Sequence, residues 1–213
     1  MRNDEIRTKK ILKLAETLPS FDVADLAPIG ESKSYLNIIL SRFTKRGITV
    51  RLRRNLYVTK NYIDSTDRKG TYSDYIEFIA NKLYSPSYLS LDYVLYEHNM
   101  LTEIPRNITS VALRKTDRFS NELGNFIYHK VKEELFLGFT VTKKGDFSIL
   151  KATKAKALFD FLYFRKKLLV DKEAVDELRL NLQEFKKKDF KELESYVDME
   201  GTAKMKEIFN WLK

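Results

Sequence analysis

The sequence predicts an α+β protein in which a small helical domain with a β-hairpin, residues 1–62, precedes a mixed domain, residues 70–213. Apolar residues recur with helical spacing up to Gly47, and apolar and polar residues alternate directly after it. Short alternating segments between glycines fill the middle of the chain, and helical spacing returns from residue 153. Hydrophobic residues make up 43% of the 213, which suffices for two packed cores.

The first 46 residues are predicted to form three helices. Apolar side chains spaced three and four apart in 11–18 predict the first helix. Residues 21–27 predict a second, brief helix, which a proline then stops. Ser32 is suited to cap a third helix, which reaches residue 46 and ends at Gly47.

The third predicted helix has two chemically different faces. Its inner face is apolar and consists of Leu36, Ile39, Leu40 and Phe43. Its outer face carries Ser34, Asn37, Ile38, Ser41, Arg42 and Lys45. This outer face suits the major groove of DNA, where Asn pairs with adenine, cations meet guanine or phosphate, and Ile contacts a thymine methyl. We therefore expect this helix to read base edges.

Alternation in 49–53 and 55–59 predicts a β-hairpin that turns near Arg54-Asn55. Arg51 and Arg53 lie with Arg54 on or near its tip. Three helices followed by a basic hairpin are the element order of a winged helix-turn-helix. The hairpin is then the wing, which we expect to grip the DNA backbone or minor groove.

Positive charge is concentrated in the first domain. The formal net charge is +9, of which residues 1–60 supply +7, and no acidic residue lies between Glu31 and Asp64. Such a segment attracts a polyanion. The predicted DNA-binding residues are Lys33, Ser34, Asn37, Ser41, Arg42, Lys45, Arg51, Arg53 and Arg54. The expected partner is double-stranded DNA.

The rest of the chain predicts a linker and then a mixed α/β domain with a small, mostly antiparallel sheet and C-terminal helices. The polar segment 60–70 is the predicted linker. Helices are predicted at 72–83 and 89–99, and from 153 to the end. Short strands are predicted at 108–113, 125–132, 136–142 and 146–150.

The second domain lacks the residue patterns of an enzyme. Histidine occurs only at 98 and 129, cysteine is absent, and no glycine-rich phosphate loop, H-E-x-x-H or G-x-S-x-G motif is present. We therefore predict no catalytic residue, no metal site and no cofactor. The sequence also lacks a secretory signal and a long apolar run, so we expect a cytoplasmic protein without a membrane partner.

Several blocks of the sequence resemble the AbiEi-type antitoxins of bacterial abortive-infection (type IV) toxin–antitoxin systems. The blocks follow the winged-helix pattern in the order of that family. They are Ser87–Leu91, Tyr96–Leu101, Ile108–Val111, Phe126–His129, Glu134–Phe139 and Ala152–Tyr163. The chain departs from the family pattern at Asn55 and Asn99, where Gly is expected, and at Lys154-Ala155-Lys156, where Pro-Glu-Lys is expected.

The resemblance implies a two-part regulator. Its N-terminal domain would bind inverted repeats in its own promoter and repress the operon, and such an operator accommodates a dimer. Its C-terminal domain would counteract a nucleotidyltransferase-like toxin, with or without direct contact. Two alternatives stay open: a stand-alone regulator whose second domain senses a ligand or dimerises, and a nucleic-acid enzyme, which would need an acidic metal cluster.

Overall fold

A computed structural model describes residues 2–212 of the chain as helices and two β-sheets, which confirms the predicted α+β class. The chain divides into two units. The first unit comprises Met1–Ile79 together with Phe119–Gly124, and the second comprises Ala80–Arg118 together with Asn125–Lys213.

The first unit contains helices, a 3-10 turn and a hairpin in close succession. Its elements are helix α1 (Arg2–Ala15), the 3-10 turn (Ala27–Ile29), helix α2 (Lys33–Lys45), strands β1 (Thr49–Arg53) and β2 (Leu56–Thr59), helix α3 (Lys60–Arg68) and the start of helix α4 (Tyr72–Leu83). Apolar side chains of α1, the segment 21–26, α2 and β2 form one core. The core residues are Ile11, Ala15, Phe21, Leu26, Leu36, Ile39, Leu40, Phe43 and Tyr57.

The prediction of a brief helix at 21–27 is wrong. Residues 23–26 form turns, and only Ala27–Ile29 is helical, as a 3-10 turn. The carboxylates of Asp22 and Asp25 accept hydrogen bonds from backbone amides of their own turn, at 2.6–3.1 Å. Such local bonds compete with helical ones, which explains the difference.

The prediction of a linker at 60–70 is also wrong, because helix α3 follows the hairpin directly. The Thr59 hydroxyl accepts a hydrogen bond from the Tyr62 amide at 3.2 Å and caps the helix. Ile63 and Thr66 are buried on its inner face. Only a few apolar side chains define that face, so the polar composition concealed the helical spacing.

The second unit is built on a mixed sheet, with strand order β5-β6-β4-β3-β8-β7. The strands are β3 (Ser87–Leu89), β4 (Ile108–Ala112), β5 (Asp117–Asn121), β6 (Gly124–Lys130), β7 (Phe139–Lys144) and β8 (Phe147–Ala152). Pairs β3–β4 and β7–β8 are antiparallel, whereas β3–β8 and β4–β6 are parallel. The predicted small, mostly antiparallel sheet is therefore corrected to a six-stranded mixed one. The segment Phe119–Gly124, which contains the last three residues of β5 and the turn to β6, groups with the first unit.

The second unit also contains the helices α5 (Asp92–Glu97), α6 (Lys154–Arg165), α7 (Lys172–Asp176), α8 (Lys187–Glu200) and α9 (Ala203–Trp211). The helix predicted from residue 89 begins only at Asp92, because Ser87–Leu89 is an interior strand buried on both faces. Helical spacing beyond residue 153 correctly predicts α6, α8 and α9. It fails between α7 and α8, where the chain is irregular.

Candidate nucleic-acid interface

Helix α2 turns one apolar face to the core and one polar face to solvent. The Ser32 hydroxyl accepts a hydrogen bond from the Tyr35 amide at 3.3 Å and caps the helix as predicted. The predicted inner residues Leu36, Ile39, Leu40 and Phe43 are all buried. The predicted outer residues Ser34, Asn37, Ile38, Ser41, Arg42 and Lys45 are all exposed. Ile38 is 52% exposed, so the outer face combines polar groups with one apolar side chain.

The hairpin β1–β2 exposes its arginines. Val50 and Leu52 are buried, whereas Arg51 and Arg53 are exposed. Arg54 lies in the two-residue turn beside Asn55, whose φ is 59°. Asn tolerates this left-handed conformation better than most residues, which explains why it can replace Gly here. The predicted position of the turn is confirmed.

All nine predicted DNA-binding residues are exposed, and six of them are cations. The cations are Lys33, Arg42, Lys45, Arg51, Arg53 and Arg54. Among the side chains that the structure describes, no carboxylate oxygen lies within 4.0 Å of these six. The acid nearest to them in sequence, Glu31, is bound by Arg7 at 3.3 Å. The six positive charges are therefore available to a partner.

A cleft of about 220 Å³ connects the first half of α2 with the hairpin turn. Lys33 and Asn37 line it from the helix, and Asn55 lines it from the turn. The fold thus brings two of the predicted residues next to the turn that holds Arg54. Ser41, Arg42 and Lys45 do not line the cleft, because they lie in the second half of α2.

One acidic side chain at this cleft was missed by the sequence reasoning. Asp22 lines the cleft together with Val23 and Ala24. The acid-free stretch of the sequence starts after Glu31. Asp22 lies before that stretch in the sequence, but folding places it at the cleft beside α2. The spacing of Asp22 and Asp25 is the available sequence signal, because Asp side chains favour turns of this kind.

Strand β2 is paired on both of its edges. One edge pairs with β1, and Tyr57 on the other edge pairs with Phe21. The Phe21 amide donates to the Tyr57 carbonyl and the Tyr57 amide donates to the Phe21 carbonyl, both at 2.8 Å. The two rings also stack, with centroids 6.1 Å apart. This pairing anchors β2 of the hairpin to the segment that links α1 and α2.

The second unit contains a buried ion pair, in contrast to the exposed, unpaired cations of α2 and the hairpin. Lys156 Nζ lies 2.7 Å from Asp160 Oδ1, and both side chains are 0% exposed. The other carboxylate oxygen accepts hydrogen bonds from the hydroxyls of Ser90, at 2.7 Å, and Tyr88, at 3.0 Å. Burial lowers the pKa of Lys156 and raises the pKa of Asp160, and the bond between them opposes both shifts.

Aromatic rings and the start of α6 enclose this buried pair. Lys156 Nζ lies 4.5 Å from the Phe159 ring centroid and 5.4 Å from that of Tyr196. A Cβ at Gly138, where φ is 76°, would clash with the Tyr196 hydroxyl. Because the cluster is closed and its hydrogen bonds are made internally, it is suited to holding α6 on the sheet.

The two histidines lie at separate elements. His98 ends α5 as its C-cap residue. His129 lies on β6, and its ring contacts that of Phe164 in a tilted arrangement with ring centroids 5.1 Å apart. Burial lowers the pKa of His129, and the positive charge of Arg165 lowers it further. Among residues 5–212, whose side chains the structure describes, no group of three His, Asp or Glu side chains is placed to hold a metal ion.

A groove of about 850 Å³ lies in the second unit, between the 101–107 loop and the end of α7. Arg106 and Arg179 line it, with Phe161 at its apolar part. Glu103 and Glu177 also contribute, so the groove carries both signs of charge.

Comparison with models of known protein families gives no match, and comparison with curated proteins gives none either. In the part of the chain that the structure describes, none of the helices combines the length and the apolar character that crossing a membrane requires.

Proposed function

We propose that this protein is a DNA-binding transcriptional regulator whose first unit acts as a winged helix-turn-helix. The observation that carries this function is the exposed outer face of α2, which has two cations and no acid of its own and stands beside a hairpin with three further arginines. None of these cations is paired with a described carboxylate. An exposed basic surface without internal partners is the electrostatic footprint of a nucleic-acid binder.

In this function α2 enters the major groove and the hairpin β1–β2 is the wing. Asn37 pairs with an adenine edge, and Ile38 contacts a thymine methyl. Arg51, Arg53 and Arg54 grip the phosphates or the minor groove beside it. The Phe21–Tyr57 pairing supports this arrangement, because it fixes the wing to the segment between the first two helical elements.

We further propose that the regulator is the antitoxin of an abortive-infection system and represses its own operon at inverted repeats. This part rests on the resemblance to AbiEi-type antitoxins. The second unit would counteract a nucleotidyltransferase-like toxin. The block Ala152–Tyr163, which resembles the family, contains the buried Lys156–Asp160 pair. That pair would stabilise the fold of the second unit. The residues that counteract the toxin would then lie on the surface of this unit.

A second candidate function is a stand-alone regulator whose second unit senses a ligand. The 850 Å³ groove favours it, since its volume lies in the range of small-molecule sites. A gene without a neighbouring nucleotidyltransferase-like reading frame would favour this function over the antitoxin.

DNA binding is tested by titrating the purified protein with a duplex of its own upstream region and with a scrambled duplex of equal length, over a series of salt concentrations. We expect tighter binding to the upstream duplex. We also expect log affinity to fall linearly with log salt, by about 0.9 per neutralised phosphate. Equal affinity for both duplexes at physiological salt would contradict a sequence-specific regulator.

The Arg53→Ala/Arg54→Ala variant separates the two proposed roles. It should weaken binding to both duplexes alike and flatten the salt dependence, because the wing contacts phosphates. Co-expressed with the neighbouring reading frame, the same variant should still suppress toxicity, since the antitoxin role belongs to the second unit. Loss of rescue by this variant, with its fold intact, would contradict that separation.

A further inference from the structure

Strand β1 of the hairpin contains a bulge at Leu52. The ladder pairs Thr49 with Thr59 and Arg51 with Tyr57, but Arg53 pairs with Leu56, one residue out of step. Leu52 therefore has no opposite residue in β2, although it is 2% exposed. A bulge changes the direction of the side chains around it, and here those neighbours are Arg51 and Arg53.

A side chain from a distant part of the chain binds the backbone at this bulge. Asn121 Nδ2 donates a hydrogen bond to the Leu52 carbonyl at 3.0 Å, across 69 residues of sequence. Asn121 Oδ1 accepts a hydrogen bond from the Leu123 amide at 2.8 Å. The second bond fixes the carboxamide, so that its amino group faces Leu52. Both residues belong to the first unit.

The hairpin is therefore held along both of its outer edges. Phe21 pairs with β2, and Asn121 binds β1 at the bulge. An isolated two-stranded hairpin is marginally stable in water, so contacts at its edges decide how well it is ordered. The contact at β1 is the one that adjoins both arginines of that strand.

We propose that Asn121 is a positioning residue for the wing: it fixes the Leu52 bulge and thereby directs Arg51 and Arg53 toward the DNA backbone. This inference rests on the proposed DNA-binding function. Asn121 itself does not touch DNA. Its effect on DNA affinity passes through the two arginines, and this dependence distinguishes it from a residue that only stabilises the fold.

The test combines amide hydrogen exchange of the wing with DNA affinity. Asn121→Ala removes both side-chain bonds, and Asn121→Asp keeps the acceptor for Leu123 but removes the donor to Leu52. The matched control is Glu122→Gln, at the neighbouring exposed position of the same turn. Exchange is measured for residues 51–57 without DNA. Affinity of Asn121→Ala is measured on a mixed-sequence duplex, in the wild-type background and in the Arg51→Ala/Arg53→Ala background.

We expect both Asn121 variants to accelerate exchange in residues 51–57 and the control to match the wild type. Asn121→Ala should weaken duplex binding about three- to tenfold, the equivalent of one hydrogen bond, and this loss should vanish when the two arginines are absent. Unchanged exchange in both Asn121 variants overturns the inference, as does an equal loss of affinity in both backgrounds. If the wild type itself does not bind the duplex, the proposed DNA-binding function fails. The exchange data alone then test whether Asn121 fixes the Leu52 bulge.

Discussion

The surface of α2 and the hairpin in the first unit holds positive charge in the opposite way to the ion-paired cations of the second unit, although α1 of the first unit also has the pairs Arg7–Glu31 and Lys9–Glu5. In the first unit, six cations on α2 and the hairpin are exposed and lie beyond 4.0 Å of any described carboxylate. In the second unit, Lys156 is fully buried against Asp160, and several exposed or half-buried cations also have acidic partners. Those pairs are Lys151–Glu97, Lys154–Asp189, Arg165–Asp92, Lys166–Glu200 and Lys206–Asp198.

This difference separates charge that is neutralised within the fold from charge that is left exposed to solvent. A buried ion pair must be matched by its neighbours, because an uncompensated charge in a low dielectric is strongly unfavourable. Exposed unpaired cations contribute little to stability, and they raise the local concentration of an anionic partner. The comparison therefore predicts that charge removal harms folding in the second unit and binding in the first.

The largest expected effect comes from Asp160→Ala. It leaves Lys156 buried without its counter-ion and removes the acceptor for the hydroxyls of Tyr88 and Ser90. We expect the free energy of unfolding to fall by about 3–5 kcal/mol. Urea unfolding monitored by circular dichroism measures this change, with equal slopes required for a valid comparison.

The double variant Lys156→Met/Asp160→Leu is the control for this prediction. Replacing a whole buried pair with apolar residues is often neutral or stabilising. Here we expect the double variant to recover only part of the free energy of unfolding that Asp160→Ala loses, because the Tyr88 and Ser90 hydroxyls stay buried without their acceptor. A loss of only about 0.5 kcal/mol for Asp160→Ala, the size found for a surface pair, would show that the cluster is not a structural element.

The secondary structure was most predictable where apolar spacing was strong and a cap was present. Helix α2 follows from its apolar residues, from Ser32 and from Gly47, and each is used as expected. Helix α3 was missed because few apolar residues define its inner face. Strand β3 was missed because a strand buried on both faces lacks alternation, and its apolar run resembles a helix.

The candidate site could be predicted only as far as local spacing determines it. The exposure of Asn37, Arg42 and Arg53 follows from helical and strand periodicity within single elements. The positions of Asp22 and Asn121 beside these elements depend on tertiary folding. Sequence distance carries no information on such contacts, and the Asn121–Leu52 bond spans 69 residues.

A smaller effect, on specificity alone, is expected from Asn37→Ala. If Asn37 pairs with an adenine, the variant loses about 1–3 kcal/mol of discrimination at one base-pair position and keeps its affinity for scrambled DNA. Competition binding with single-base variants of the upstream duplex measures this loss. Asn210→Ala, at an exposed position of α9, is the matched control. Uniform weakening on every duplex would assign Asn37 to backbone contact instead of base reading.

The smallest expected effect on stability is that of Arg42→Ala and Lys45→Ala. Both cations lie in the last turn of α2, where interaction with the helix dipole contributes about 0.3–1 kcal/mol at an exposed site at low ionic strength and less in salt. We therefore expect each variant to change the free energy of unfolding by no more than about 0.5 kcal/mol. The same variants should reduce the salt dependence of duplex binding by about 0.9 for each phosphate that the protein no longer neutralises. If either substitution instead destabilised the protein as strongly as Asp160→Ala, its charge would serve the fold of the first unit, and the contrast between the two units would fail.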